Sequence, residues 1–184
     1  MVKSVIAIIG LSGSGKSTVL NKVIKMYGGV NKVISCTTRP QRPNEINKKD
    51  YYFISDILYN VMDSCGALIA KEEFKVASGD IWRYGIIEKL LTQYEYPILI
   101  LTPSGVENLK SLGYNVITFY IDLSEEERFK RIYNRKDNQG DQEIKRRNKE
   151  DLERFDSLIY DYKIYNGNSD ICAARIVSIL DGII

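Results

Sequence analysis

The segment Val5–Thr18 constrains the fold of this chain more than any other stretch. Five consecutive apolar residues, Val5–Ile9, predict a buried parallel strand. The next residues, Gly10–Ser17, match the pattern G-x-x-x-x-G-K-[ST] in full, and an amphipathic helical pattern begins at Lys16. In such a loop the glycines allow backbone N–H groups to turn toward phosphate oxygens, and the helix N-terminus adds partial positive charge. The sequence therefore predicts a nucleotide-phosphate site between a strand and a helix.

The side chains of this loop predict how ATP would be held. Lys16 is long enough to reach the β- and γ-phosphates, and it is the first predicted catalytic residue. The hydroxyl of Ser17 can hold Mg²⁺, so Ser17 is the predicted metal ligand. The loop residues that are predicted to bind ATP are Gly10, Ser12, Gly13, Ser14, Gly15, Lys16, Ser17 and Thr18.

Apolar runs alternate with helical patterns along most of the chain, which is typical of an α/β fold with a mainly parallel sheet. Further strands are predicted at Lys32–Ser35, Tyr51–Ile54, Pro97–Leu101 and Asn115–Ile121. Helices are predicted at Lys16–Met26, Ile86–Tyr94, Ser104–Leu112, Ser124–Asn134 and Asp141–Tyr160. The polar segments Thr37–Asp50 and Asn134–Gln142 interrupt the alternation, and insertions of this kind usually carry substrates or act as lids.

Composition excludes several kinds of chemistry. The chain has 184 residues, enough for one domain with small insertions, and none of them is histidine. Hydrolase triads built on histidine, HExxH metalloproteases and His-ligated zinc or haem are therefore excluded. Lys+Arg 26 against Asp+Glu 24 leaves a net charge of +2, which is too balanced for a general nucleic-acid binder.

The cysteines Cys36, Cys65 and Cys172 are widely spaced and odd in number, which fits neither a disulfide framework nor a zinc site. We therefore expect a reduced, cytoplasmic protein, with Cys65 and Cys172 as small core residues. The N-terminal apolar run is too short to span a membrane and lacks a signal-peptide cleavage pattern, so no membrane partner is expected. The oligomeric state, monomer or homodimer, stays open.

A second anion site is predicted downstream of the phosphate loop. Arg39 and Arg42 share a proline-containing loop, and Tyr51 follows it. Arginine forks bind phosphate oxygens in a bidentate manner, and a tyrosine hydroxyl adds an uncharged donor. Such a loop alone is more often a solvated surface, but after a phosphate loop it indicates a pocket for a second phosphate.

Together these motifs resemble the guanylate kinase family. That family combines a GPSGxGKST-like loop with S-x-T-T-R-x-x-R and then G-x-x-Y, and here Ser35–Arg42 and later Tyr84-Gly85 follow the same order. The resemblance implies a single domain, in which a P-loop NTPase-type parallel sheet flanked by helices (1–35, 95–125 and 160–184) carries a small β-rich NMP-binding insertion (about 36–88) and a helical lid (about 126–150). It also implies ATP and a nucleoside monophosphate as partners and Mg²⁺ as the cofactor. The substrate-binding residues that it implies are Ser35 near the base and Arg39, Arg42, Tyr51 and Tyr84 on the monophosphate.

The positions that read the base depart from the family pattern. The family has a glutamate before its Y-G pair, a serine after it and a D-x-D that follows a buried strand. The aligned residues here are apolar or uncharged, and polar groups that read a base carry the large discrimination factors, so GMP is only the default acceptor. The departures are Ala70, Ile86 and Thr102, and the residues that could replace the lost groups are Glu72 or Glu73, with a local shift in register, and Trp82.

The resemblance also covers an arginine-rich lid. In the family, the position matching Arg131 lies against adenine, and those matching Arg135 and Arg147 reach the phosphates, which makes Arg135 and Arg147 the remaining catalytic candidates. These two arginines would close over the transferring group and exclude water.

Helical spacing in the segment from Asp141 places Arg147 and Asp151 on the inward face and Arg146 on the opposite one. Arg128 and Arg146 are accordingly expected to be solvated surface charges.

These features predict ATP-dependent phosphorylation of a nucleoside monophosphate, with GMP or dGMP as the default acceptor, by in-line transfer. A kinase of the same fold could instead act on a different (deoxy)nucleotide or a ribose phosphate. Two other classes are a non-catalytic guanylate-kinase-like module that binds a protein, which the intact Gly15-Lys16-Ser17 disfavours, and a simple ATPase switch, which would not need the second anion site.

Overall fold

The apolar run near the start of the chain forms the central strand of a parallel sheet, and all five of its residues are buried. A computed structural model describes residues 1–43, 45–76, 78–134, 141–156 and 158–184, and only the backbone of residues 141–143 and 147. In chain order the elements are β1 (Val5–Ile9), α1 (Lys16–Met26), β2 (Asn31–Lys32), β3 (Cys36–Thr37), β4 (Tyr52–Phe53), α2 (Asp56–Ser64), β5 (Leu68–Lys75), β6 (Ile81–Ile87), α3 (Glu88–Leu91), β7 (Pro97–Ile100), α4 (Pro103–Ser111), β8 (Val116–Asp122), α5 (Glu125–Tyr133), α6 (Asp141–Phe155), β9 (Tyr162–Tyr165) and α7 (Ser169–Ile183).

The main sheet has the strand order β2-β7-β1-β8-β9, and each of these neighbouring pairs is parallel. Helices cover both faces. Val23 of α1 and Ile176 of α7 share a buried cluster with Phe119 of β8, whereas Val106 of α4 belongs to the opposite cluster with Leu99 of β7. Because parallel strands end at one edge of a sheet, the loop after β1 lies beside the ends of β7 and β8.

Residues 36–87 contain a second, smaller sheet with the strand order β4-β3-β6-β5. Helix α2 packs on it, and Tyr59 shares a buried cluster with Cys36. The antiparallel pairing of β5 and β6 shifts in register between Ile69 and Glu72, and Ala70 has a φ of +47° there. A bulge of this kind changes which face of the sheet the following side chains occupy.

The predicted α/β fold with a mainly parallel sheet is confirmed, and the helices predicted at Lys16–Met26, Ser104–Leu112 and Ser124–Asn134 are present. The helix predicted at Ile86–Tyr94 is wrong at its start, because Ile86 pairs with Ile69 inside the hairpin of β5 and β6. The helix predicted to reach Tyr160 ends at Phe155.

Helices α2 and α7 and strand β9 have no counterpart in the sequence-based prediction. The helical spacing of Cys172, Ala173, Ile176 and Leu180, all buried, would have been sufficient to predict α7. Cys65 was expected in the core, but it is exposed because it caps the C-terminal end of α2. Within the described ranges, no helix has the length and apolar character needed to cross a membrane.

Candidate functional site

The phosphate loop connects β1 to α1 with a backbone shape that requires glycine. Gly13 and Gly15 have φ values of +83° and +90°, which side chains rarely tolerate. A Cβ atom at Gly13 would lie 2.6 Å from the carbonyl oxygen of Arg128, and one at Gly15 would lie 2.5 Å from the side-chain nitrogen of Asn166. A side chain at either position would therefore cause both backbone strain and a steric clash, so this loop shape requires glycine at Gly13 and Gly15.

Two groups of the loop have protein partners at close range. Lys16 Nζ donates hydrogen bonds to the carbonyl oxygens of Gly10 (2.7 Å) and Leu11 (3.1 Å). The amide of Ser12 donates to the carboxylate of Asp151, on α6, at 2.8 Å. This contact shows that the Ser12 amide points away from the loop and can donate to an anion. It also confirms the predicted inward direction of Asp151.

Arg128 supports the loop from below, which corrects the expectation that it is a solvated charge. Its side chain is 3% exposed, and its guanidinium donates to the carbonyl of Ser12 at 3.2 Å and to Asn148 of α6 at 3.1 Å. The second supporting residue is Asn166, just after β9, which donates to the carbonyl of Ser14 at 2.6 Å. Sequence reasoning missed Asn166 because the strand that precedes it, β9, was not predicted.

The predicted adenine-side residue, Arg131, lies on the other side of the loop. Its guanidinium donates to the carbonyl of Asn166 at 3.0 Å. It lines an open cavity together with Gly15, Thr18 and Asn168. The structure thus places Arg131 beside the phosphate loop, at a distance from the second anion site.

The second anion site is built around Arg39, which is buried between two rings. Its guanidinium lies 5.4 Å from the ring centre of Tyr51 and 5.5 Å from that of Phe53, and it forms an ion pair of 2.7 Å with Glu45. Burial alone would lower the pKa of Arg39, but the hydrogen bond with Glu45 and the electrostatic interactions with Tyr84, Glu45 and Tyr51 together outweigh burial, and the pKa is raised. Glu45 also accepts from the amide of Arg42 at 2.9 Å, so one carboxylate orders both predicted arginines.

Tyr51 and Tyr84 lie next to these arginines, with their ring centres 6.0 Å apart. Burial raises the pKa of Tyr51 to about 12, so its hydroxyl is a neutral donor at physiological pH. Sequence reasoning missed the organising role of Glu45, which was visible only as one letter within the motif.

A single cavity, called here the central cavity, joins the phosphate loop to this second site. Ser12 and Lys16 line one end, and Ser35, Tyr51 and Tyr84 line the wall that leads away from the loop. Ser17 and Thr18 share a neighbouring recess with Arg42, Glu45 and Tyr51. Most of the residues predicted to bind the donor and acceptor phosphates therefore line these two adjoining spaces, whereas Arg39 lies buried behind Tyr51 and lines neither of them.

The far end of the central cavity holds a carboxylate, that of Glu72. The bulge in β5 turns this side chain inward, where Thr102 and Ser104 donate hydroxyl hydrogen bonds to its Oε1. Glu73, on the opposite face, pairs with Arg83 at 2.8 Å outside the cavity. The local shift in register that a role for Glu72 in base recognition would require is thus present.

The rest of this end is mostly apolar. Ala70, Trp82, Ile86 and Ile100 line the cavity here. The backbone amide of Ala70 donates a hydrogen bond to the side chain of Asn108 at 2.8 Å. Thr102, at the position of the family's second acidic residue, contributes a hydroxyl.

Helix α6 covers the cavity. Asp151, Arg154 and Phe155 line it, and so do Arg146 and Glu150, which form an ion pair with each other. Arg146 was expected to point away, and this expectation is wrong. The prediction assumed that Leu152 belongs to an apolar stripe that packs on a core. Leu152 is instead 47% exposed, because this part of α6 faces a cavity.

The two catalytic candidates of the lid fall at the margin of the described structure. Arg135 lies outside the described residues, as does the side chain of Arg147.

A metal site composed only of protein groups is not found in the described part of the chain, where no cluster of three or more acidic or cysteine side chains occurs. The exposed hydroxyl of Ser17, at the start of α1, nevertheless suits Mg²⁺. Mg²⁺ keeps several waters and takes other ligands from substrate phosphates, so one protein hydroxyl is a sufficient direct contact.

The parallel sheet, the phosphate loop at its edge and the second basic site across one cleft define a P-loop kinase of the nucleoside monophosphate kinase class. Comparison with known proteins identifies a particular family within this class. The Guanylate kinase family model matches residues 2–182. The chain belongs to the guanylate kinase family and is an enzyme of the nucleoside monophosphate kinase type.

Individual relatives agree over most of the chain. The guanylate kinase of Blochmanniella pennsylvanica is 30% identical over 92% of this chain and 82% of its own length. A shorter stretch of 49 residues is 47% identical to the guanylate kinase of Thermotoga maritima, covering 27% of this chain and 24% of that protein. The crystal structure of guanylate kinase from Anaplasma phagocytophilum has a TM-score of 0.70, at 25% identity, over 98% of this chain and 86% of the other.

Proposed function

We propose that this enzyme transfers the γ-phosphoryl group of Mg·ATP to GMP or dGMP and releases ADP and the nucleoside diphosphate. The observation that carries the proposal is the central cavity, which has the phosphate loop at one end and the inward carboxylate of Glu72 on β5 at the other. A transition state whose charge lies on phosphate oxygens requires positioning and electrostatic stabilisation more than a protein base, which suits a chain without histidine.

On the donor side, the loop amides and Lys16 would hold the β- and γ-phosphates, and Arg131 would lie against the adenine. Phosphate oxygens would replace the carboxylate of Asp151 at the amide of Ser12. Mg²⁺, held by Ser17 and the phosphates, supplies charge neutralisation.

On the acceptor side, the second sheet would act as the monophosphate-binding insertion. Arg39 and Arg42 would bind the phosphate oxygens, and Tyr51 and Tyr84 would add neutral hydroxyl donors. Because Glu45 and the flanking rings already order Arg39, the guanidinium needs little rearrangement to hold the attacking oxygen in line.

At the base, Glu72 would accept hydrogen bonds from N1–H and the 2-amino group of guanine. Adenine presents an unprotonated N1 at the same position, so its lone pair would face the carboxylate. This repulsion favours guanine even though Ile86 contributes no polar group.

Arg135 and Arg147 are proposed to close over the transferring phosphoryl group. Together with the rest of the lid, they would keep water away from the γ-phosphate and so prevent hydrolysis of ATP.

Cytoplasmic localisation stays a prediction.

A coupled ADP-release assay across the common ribo- and deoxyribonucleoside monophosphates, with a control that lacks acceptor, tests the proposal. We expect ADP release with GMP and dGMP that greatly exceeds the control rate. If ADP release requires another monophosphate or a ribose phosphate, that compound is the acceptor in place of GMP and dGMP. Equal release with and without acceptor would indicate an ATPase, and no release at all would favour a binding module.

A further inference from the structure

The base end of the central cavity contains a charged residue that the proposed function has not yet used. Arg154, on α6, lines the cavity opposite the second sheet. Its guanidinium carbon lies 4.3 Å from the ring centre of Phe74, and its Nη1 lies 3.9 Å from Oε2 of Glu72. The side chain of Glu72 is 9% exposed and that of Arg154 is 34% exposed, so the carboxylate is largely removed from water and the guanidinium lies at the edge of the cavity.

The hydroxyls beside Glu72 are not suited to read a carbonyl group of a base. Thr102 and Ser104 each have one hydroxyl hydrogen, and both hydrogens are directed at Oε1 of Glu72. Ile86 and Ile100, which line the same region, have no polar side-chain atoms. A carbonyl oxygen buried here without a donor would carry a desolvation cost.

Arg154 can supply that donor. A guanidinium presents five N–H groups in a planar fork, and the ring of Phe74 supports its plane. The separation of 3.9 Å from Glu72 is that of an ion pair and exceeds hydrogen-bonding distance, so the fork is not locked to the carboxylate. A donor and an acceptor therefore lie side by side on the wall of the cavity.

We propose that Arg154 is a specificity-determining residue that donates to the 6-oxo group of the acceptor purine while Glu72 accepts from N1–H and the 2-amino group. This inference rests on the proposed function. The edge of guanine carries an acceptor next to two donors, which complements the pair. The edge of adenine carries the reverse order, so adenine would present a donor to Arg154 and an acceptor to Glu72. Both mismatches act against AMP.

The test combines a protein variant with a modified ligand. In 6-thio-GMP a sulfur, which is a weak acceptor, replaces the 6-oxo oxygen, while N1–H and the 2-amino group are retained. Dissociation constants for GMP and 6-thio-GMP are measured by calorimetry for the wild type, Arg154→Leu and Arg154→Lys. The matched control is Arg83→Leu, which removes the arginine that pairs with Glu73 on the outer face.

We expect the wild type to prefer GMP over 6-thio-GMP by about 10-fold or more, as a hydrogen bond to a charged donor provides. Arg154→Leu should lose this preference, Arg154→Lys should keep part of it, and Arg83→Leu should retain it in full. The ratio of kcat/KM for GMP over AMP should fall in parallel.

An unchanged preference in Arg154→Leu, or an equal loss in Arg83→Leu, would overturn the role of Arg154 while leaving GMP as the acceptor. A wild type that neither binds nor phosphorylates GMP would instead overturn the proposed function. Thermal unfolding of each variant establishes that it is folded before its ligand preference is compared.

Discussion

The two ends of the central cavity are built in different ways. The phosphate-loop end comes from one contiguous segment, Gly10–Thr18, whose geometry follows from glycines at positive φ. The base end is assembled from residues far apart in sequence, with Glu72 on β5, Thr102 before α4 and Arg154 on α6.

This difference shows where specificity can change without loss of chemistry. A contiguous loop performs the same phosphate binding wherever a strand and a helix flank it. An assembled pocket depends on each contributing element, so a departure from the family pattern such as Ile86 is expected to alter what is recognised and to leave the phosphate loop intact. The following experiments compare the two ends, in order of decreasing expected effect.

The largest effect is expected at the loop end. Lys16→Ala should lower kcat by about 10³-fold, because it removes a charge that stabilises the transferring phosphoryl group. Stopped-time assays with GMP measure the rate, and circular dichroism checks that the fold is retained. Full activity in a folded variant would contradict the phosphate-loop assignment.

Next comes the second anion site, where Arg39→Ala should raise KM for GMP and lower kcat, with a combined loss of about 100-fold in kcat/KM. Both change because binding and in-line geometry depend on the same guanidinium. Since removal of Arg39 leaves the partly buried Glu45 with only the longer 3.8 Å contact to the Arg42 guanidinium, Arg39→Lys is measured beside it as a variant that keeps the charge. An unchanged KM for GMP in both variants would place the acceptor phosphate elsewhere.

At the base end, Glu72→Gln should reduce kcat/KM for GMP by about 10- to 100-fold while affecting AMP less. The amide replaces one acceptor oxygen by a donor, which opposes N1–H of guanine. The adjacent residue gives the control, because Glu73→Gln changes the same kind of side chain outside the cavity and should leave the GMP to AMP ratio unaltered. Equal effects of the two substitutions would argue against base reading by Glu72.

A smaller effect of opposite sign is expected where α6 meets the loop. Asp151→Asn should tighten binding of a non-hydrolysable ATP analogue by about 5-fold, because a negative charge no longer occupies the Ser12 amide or repels the phosphates. Asp156→Asn, on the exposed end of the same segment, is the control. Weaker binding by Asp151→Asn would mean that the carboxylate assists the nucleotide complex.

The last prediction is that the contribution of the Tyr51 hydroxyl to activity does not change with pH. Burial raises the pKa of Tyr51 from 10.0 to about 12, so its hydroxyl remains protonated where an ordinary tyrosine begins to ionise. The ratio of kcat/KM for GMP between the wild type and Tyr51→Phe should therefore not change from about pH 7 to 10. A decline of this ratio near pH 10 would show that the hydroxyl is ionised there.

Three side chains illustrate where sequence reasoning was insufficient. Arg128 was expected in solvent but lies beneath the phosphate loop, since the helix that carries it packs against that loop. Arg146 was expected to face away, but α6 turns it into the cavity. Cys65 was expected in the core but ends α2, a helix that the sequence analysis did not predict. For Arg128 and Arg146 the error concerns which neighbour a helix face meets, whereas for Cys65 it comes from the unpredicted helix.

The local pattern by itself determined β1, the phosphate loop and α1, because apolar periodicity and glycine content act within a few residues of one another. It also predicted that Arg39, Arg42 and Tyr51 form a second anion site, and the structure brings these three residues together around Glu45. Only the tertiary structure decided that β5 brings the carboxylate of Glu72 into the central cavity two residues after Ala70, because one bulge reverses the faces of a strand. The same holds for Arg154, whose meeting with Phe74 and Glu72 depends on the packing of α6 over the second sheet.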